Sequence, residues 1–134
     1  MVTIGIWWLG LFGVVGGPGF GGWSRWGLSL WLDPRHPHFF LGTFAANAIG
    51  GFLVGIAVAH FTRHPDLAPE WRYFVITGIL GGLTTFSSYS AEVVSLLERG
   101  EFAWGLIVAG SHLAASLLLT AAGFWLYRSL TGYS

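Results

Sequence analysis

The ten residues Gly81 to Ser90, Gly-Gly-Leu-Thr-Thr-Phe-Ser-Ser-Tyr-Ser, place two glycines and a row of hydroxyls inside a long apolar segment. Irregular backbone survives within a bilayer only where protein or a water-lined cavity satisfies its polar groups. Helices interrupted at mid-membrane commonly build ion sites from half-helix ends and unwound carbonyls. These residue types point to a channel or transporter. Phe86 and Tyr89 stand at i and i+3, so a helical backbone turns both rings to one side. Packing is one use for such a pair. The other is ion stabilisation, because an aromatic ring has a positive edge and can face an anion edge-on without carrying charge.

Other segments offer more polar groups at helical spacing. Thr43, Asn47, Gly51, Gly55 and Ala59 recur every four residues and form one small, polar stripe. Such stripes let membrane helices approach closely, which turns Asn47 into protein rather than lipid. Two roles stand open for Asn47: an interhelical hydrogen bond, or an amide donor offered to an anion. His112, Ser116 and Thr120 share a face at i, i+4 and i+8, with Ser111 beside them. They either bond to another helix or line a hydrated path, and the length of the stripe favours the path. His112 shares its face with no second His, Asp or Glu, so it is not read as a metal ligand. Glu92 would cost ~2.5 kcal/mol or more at the bilayer centre, so a vestibule position or an arginine partner is expected. Arg25 follows a glycine-rich run and either snorkels to the headgroups or lines a charged vestibule.

These residues need membrane-spanning helices to hold them. The chain is 134 residues long, 54% hydrophobic and 9% charged, with no lysine, whereas soluble domains carry about 25% charged residues. Four apolar segments, roughly Val2 to Trp31, Phe39 to Phe61, Tyr73 to Leu97 and Phe102 to Tyr127, meet the spanning length of ~20 residues. Trp7, Trp8, Trp26, Trp31, Trp71, Tyr73, Trp104, Trp125 and Tyr127 lie mostly near segment ends, as an interfacial belt places them. The connections are short, so residues 1–134 read as a single all-α transmembrane domain of four helices, the third broken near its middle. The first segment has no preceding Arg or Lys and does not read as a cleaved signal. Gly13, Gly17 and Gly21, with Gly16, Pro18, Gly19 and Gly22 around them, predict a kink or re-entrant bend at Gly17 to Gly22. The absence of cysteine excludes disulfide and thiolate chemistry. Zero net charge without a basic run argues against nucleic acid, and no nucleophile–base set suggests an enzyme.

With four spans, one side holds Arg63, Arg72 and Arg128 and the other Arg25, Arg35 and Arg99. Orientation follows Lys/Arg bias, and this balance gives none. Insertion both ways, with pairing as an antiparallel dimer, is one reading; a weak signal resolved by something else is the other.

The chain resembles the small bacterial fluoride channels of the CrcB/Fluc family over nearly its full length. The matching residues are Gly81-Gly82-Leu83-Thr84-Thr85-Phe86-Ser87-Ser88-Tyr89-Ser90 with Glu92, then Gly42-Thr43 through Asn47 to Gly50-Gly51-Phe52-Leu53, and the glycine-rich run ending Ser24-Arg25-Trp26. The resemblance implies an antiparallel, dual-topology homodimer in the cell (plasma or inner) membrane, multi-pass in the lipid bilayer, with two fluoride pores. It also implies a structural sodium ion (Na+) at the dimer interface, held by the backbone carbonyls of Gly81 and Thr84. The implied fluoride pore takes in Asn47, Phe86 and Tyr89, with Thr43, Ser87, Ser88, His112, Ser116 and Thr120 along it and Arg25 and Glu92 at the vestibule. Two positions depart from the family: His112 replaces a serine, and Tyr89 replaces the second pore phenylalanine. The alternatives are a small dual-topology multidrug transporter, whose first helix needs an acid that is absent before Asp33, or a structural or assembly membrane protein that uses the glycine stripes only for packing.

Overall fold

The computed structural model describes the backbone of residues 2–132 and, except for residues 2–7, 9–10 and 12–14, the surroundings of their side chains. Among the described residues all regular structure is helical. Helix α1 spans Val2–Leu32 and leads through a 3-10 turn, Asp33–Arg35, to α2, Leu41–Arg63. The third segment starts at α3, Pro69–Arg72, continues as a π-helix over Tyr73–Leu80 and ends its first half with α4, Gly81–Leu83. After an interruption come α5, Phe86–Glu98, and α6, Phe102–Thr131. Leu41–Arg63 and Phe102–Thr131 are long and apolar enough to cross a membrane, with mean hydropathies of 1.8 and 1.7.

Local chemistry explains the boundaries. Pro69 opens the third segment, where its missing N–H costs no helical bond. Asp33 accepts from the Gly42 amide at 2.7 Å, which satisfies a free donor in the first turn of α2 and puts negative charge at its positive end. Gly132 ends α6 at φ 65°, a left-handed backbone that glycine adopts without a side-chain clash.

The packing is carried by glycines. The predicted stripe on α2 is turned inward: Thr43, Gly51, Gly55 and Ala59 are all buried. A Cβ at Gly55 would overlap the Thr120 carbonyl of α6, and one at Gly123 would overlap the Phe52 carbonyl of α2. Among the described residues these two helices share an extensive interface.

The expectation for α1 is overturned in one respect. It runs as a single helix with Pro18 inside it, and no re-entrant loop forms at Gly17 to Gly22. Its glycines serve close approach instead. A Cβ at Gly17 would stand 2.7 Å from the Gly78 Cα, and one at Gly21 would meet the Ile79 carbonyl oxygen. From the opposite side, a Cβ on Gly82 would lie 2.6 Å from the Pro18 carbonyl oxygen. Main chain thus rests on main chain between α1 and the third segment. The surroundings of Gly13 and Trp7 lie outside the described residues.

Added side-chain volume at these crossings should push the helices apart. Gly21→Ala and Gly55→Ala are each expected to cost about 1–3 kcal/mol, the usual range for overpacking, read as a lower unfolding temperature in detergent. Wild-type temperatures for both variants would contradict the close crossings.

Candidate functional site

The third segment is interrupted where the sequence predicts. Leu83 ends α4, Thr84 (φ −83°, ψ 151°) and Thr85 (φ −149°, ψ 120°) are extended, and the helix restarts at Phe86. Extended residues cannot continue the i→i+4 ladder, so each freed group needs another partner. The Thr84 N–H still makes the last ladder bond, to the Leu80 carbonyl at 3.0 Å, and its hydroxyl donates to the same oxygen at 2.9 Å. The Thr85 hydroxyl accepts from the Ser88 amide at 3.2 Å and caps α5, with Ser87 Oγ 3.3 Å away.

Asn47 completes the accounting. Its Oδ1 accepts from the Thr85 N–H at 2.7 Å, and its Nδ2 donates to the Thr85 carbonyl at 3.1 Å. The side-chain amide therefore does for Thr85 what a neighbouring strand would do. Had the helix continued, the Thr85 N–H would have bonded to the Gly81 carbonyl. Asn47 takes that donor away, and it leaves Gly81 with a main-chain oxygen at the end of a half-helix. Thr84, the residue after α4, is extended. Hard oxygen donors at a helix C-terminus suit a small cation, so these residues fit the sodium site that the resemblance implies.

Beside the break lies a cavity of about 480 Å³ lined by Asn47, Gly51, Thr84, Thr85, Phe86, Tyr89, His112, Leu113 and Ser116. Five expected pore residues thus meet there: Asn47, Phe86, Tyr89, His112 and Ser116. The Phe86 and Tyr89 rings lie 5.5 Å apart at 59°, and Phe86 is 78% exposed, uncovered by its own chain. Tyr89 Oη donates to the Ala109 carbonyl on α6 at 3.0 Å. The hydroxyl that distinguishes this residue from phenylalanine is therefore tied to a neighbouring helix.

The other expected residues are placed around this centre. Thr120 lies outside the cavity wall, its hydroxyl in reach of the Gly51 carbonyl at 2.9 Å and the Ser116 carbonyl at 2.8 Å. Thr43 is buried, and among the described residues the buried Glu92 Oε2 has no hydrogen-bond partner. Arg25 reaches from α1 to Ser88 Oγ at 3.5 Å, so it crosses to another helix near the start of α5. Sequence reasoning passed over Thr85, the hub of the break; a threonine immediately before a restarting helix is the capping signal that marks it.

The fold and site together define a small helical membrane protein whose third segment is broken beside a cavity lined by rings and hydroxyls. The family described as CrcB-like protein, Camphor Resistance (CrcB), matches residues 11–124. The fluoride-specific ion channel FluC of Thiobacillus denitrificans is 53% identical over 114 residues, 85% of this chain and 92% of the relative. That of Cupriavidus pinatubonensis is 49% identical over 122 residues, 91% of this chain and 97% of the relative. The FluC of Burkholderia mallei is 53% identical over 113 residues, 84% and 88% of the two chains. The chain belongs to the CrcB family.

The roles of Asn47 and Tyr89 separate by stability. Asn47→Leu strips both backbone groups of Thr85 and is expected to cost about 2–6 kcal/mol, at about 1–3 for each buried group left unpaired. Tyr89→Phe removes one hydrogen bond and is expected to cost about 0.5–1.5 kcal/mol. Chemical unfolding of the two variants checks the order, and equal losses would contradict the bracing role of Asn47.

Proposed function

We propose that this chain forms a fluoride-selective channel that lets fluoride leave the cell passively. The observation that carries the reading is the cavity at Thr84–Thr85, where ring edges, an imidazole and hydroxyls gather beside a helix break in a chain of this family. Fluoride is small and strongly hydrated, so a narrow path rejects it unless donors replace the lost water. Ring edges at Phe86 and Tyr89 and the hydroxyl of Ser116 supply such replacement without a fixed positive charge. Conduction requires sites strong enough to enter and weak enough to leave, which neutral donors meet better than a buried arginine. Passive exit down the gradient protects a cell that takes up fluoride as the neutral acid.

The chain acts as an antiparallel dual-topology homodimer with two pores, multi-pass in the inner membrane. Two features support this reading: the arginines are balanced between the two sides, and Phe86 is left uncovered by its own chain. The interface holds a sodium ion on the carbonyls of Gly81 and Thr84. When bound, that ion neutralises the oxygens left at the half-helix end. Gly81 is exposed on the chain's outer surface, where a second copy can share the ion.

Two measurements test these points. Liposomes carrying the protein are expected to release fluoride, read with a fluoride electrode, and to retain chloride. Phe86→Ile should slow fluoride about tenfold or more, the effect of about 1.4 kcal/mol on a barrier; equal chloride flux or an unchanged rate would contradict the pore. The chain has no native cysteine, so Asp66→Cys, between α2 and α3, gives a single label site. Impermeant maleimide is expected to reach it from both faces of the membrane, and labelling from one face alone would refute antiparallel self-pairing.

A further inference from the structure

We infer that His112, in the Nε2–H tautomer, is the donor that receives the permeating anion at this site, and that Asn47 is a positioning residue acting through it. The argument starts at Thr85. A backbone N–H only donates, so the atom of Asn47 that lies 2.7 Å from it is the carbonyl oxygen. The other amide atom is then the nitrogen, which only donates. One of its protons goes to the Thr85 carbonyl at 3.1 Å. The same nitrogen lies 3.4 Å from His112 Nδ1, which must accept the second. A proton on Nδ1 would set donor against donor. The neutral ring therefore carries its proton on Nε2.

Among the described residues that nitrogen has no hydrogen-bond partner, and it is closed to solvent in a residue only 3% exposed. The ring is held on several sides: stacked on Tyr89 at 4.8 Å and 29°, edge-on to Phe44 at 5.2 Å and 77°, and beside Phe39 at 5.9 Å. A buried N–H without an acceptor is costly, and His112 also lines the cavity at the break. A small, strong hydrogen-bond acceptor entering that cavity removes the cost. Asn47 has both amide protons and its oxygen engaged within the chain. It orients the donor rather than serving as one.

This rests on the fluoride-channel reading, and the test separates the two. In protein labelled with ¹⁵N-histidine, the protonated and bare ring nitrogens are well resolved, and His112→Gln identifies the His112 pair by its loss. The expected result is a bare Nδ1, a protonated Nε2, and an Nε2 resonance that moves when potassium fluoride is added but not potassium chloride. Asn47→Asp offers an acceptor in place of the donor and should transfer the proton to Nδ1. In flux, His112→Gln keeps a donor and should conduct, whereas His112→Leu should not. A wild-type ring protonated on Nδ1, or an Nε2 resonance indifferent to fluoride in a preparation that conducts it, overturns this inference and leaves the channel intact. Loss of fluoride flux in the wild type overturns both.

Discussion

The side-chain amide of Asn47 on both backbone groups of Thr85 is the interaction on which the rest of the site depends. Two consecutive extended residues in a helical segment release amides and carbonyls that lipid cannot satisfy, at several kcal/mol for each group left bare. Thr84 closes one side on Leu80, and Thr85 caps the other through Ser88. The Thr85 peptide groups lie between, out of reach of either half-helix. Only a donor–acceptor pair arriving from a neighbouring helix can take both. An aspartate lacks the donor, and a serine has no second arm to span the N–H and the carbonyl. Asparagine has both functions on a short stem, which is why the stripe on α2 carries this residue opposite the break.

Holding that amide within 2.7 Å of Thr85 demands that α2 lie close to the third segment, and glycine makes this possible. The Thr84 methyl group occupies the place of a Cβ at Gly50. On the far side, Gly51 and Gly55 bring α6 against α2, and Thr120 adds a hydrogen bond to the Gly51 carbonyl. Behind the break, Gly17 and Gly21 of α1 meet Gly78 and Gly82 backbone to backbone. Helices in lipid gain little from burying apolar surface and associate through close packing and hydrogen bonds. The frequency of glycine is thus the same requirement as the precision of the site, seen at the level of composition.

Much of this was legible in the residues. Two glycines followed by paired threonines marked the interruption, and the four-residue period on α2 marked the face that carries Asn47. The i, i+3 spacing brought the Phe86 and Tyr89 rings together. The re-entrant bend offered for α1 does not form, because a cluster of glycine around proline suits close contact as well as a bend. Only the matching glycines at 78 and 82 decide between them, and their register against α1 is a tertiary fact. Two open roles were offered for Asn47, and its interhelical bonds to Thr85 are present. The destination of the Tyr89 hydroxyl was likewise invisible, since Ala109 contributes a main-chain carbonyl and no side-chain signal.

Tyr89 and His112 belong together for a physical reason. A tyrosine facing a small serine would leave its ring face without a stacking partner. With His112 opposite, the imidazole stacks on the tyrosine face, while the Ala109 carbonyl, which has a second lone pair to offer, draws the hydroxyl to α6. The ring is thereby held at both its face and its tip, and the hydroxyl is engaged with α6. Stacking in turn fixes the plane of the imidazole, which keeps Nδ1 within reach of Asn47. Tyr89 and His112 thus join α5, α6 and α2 through one chain of contacts that begins at the Ala109 carbonyl and ends at the Thr85 peptide. A change at either aromatic position reaches the helix break through the other.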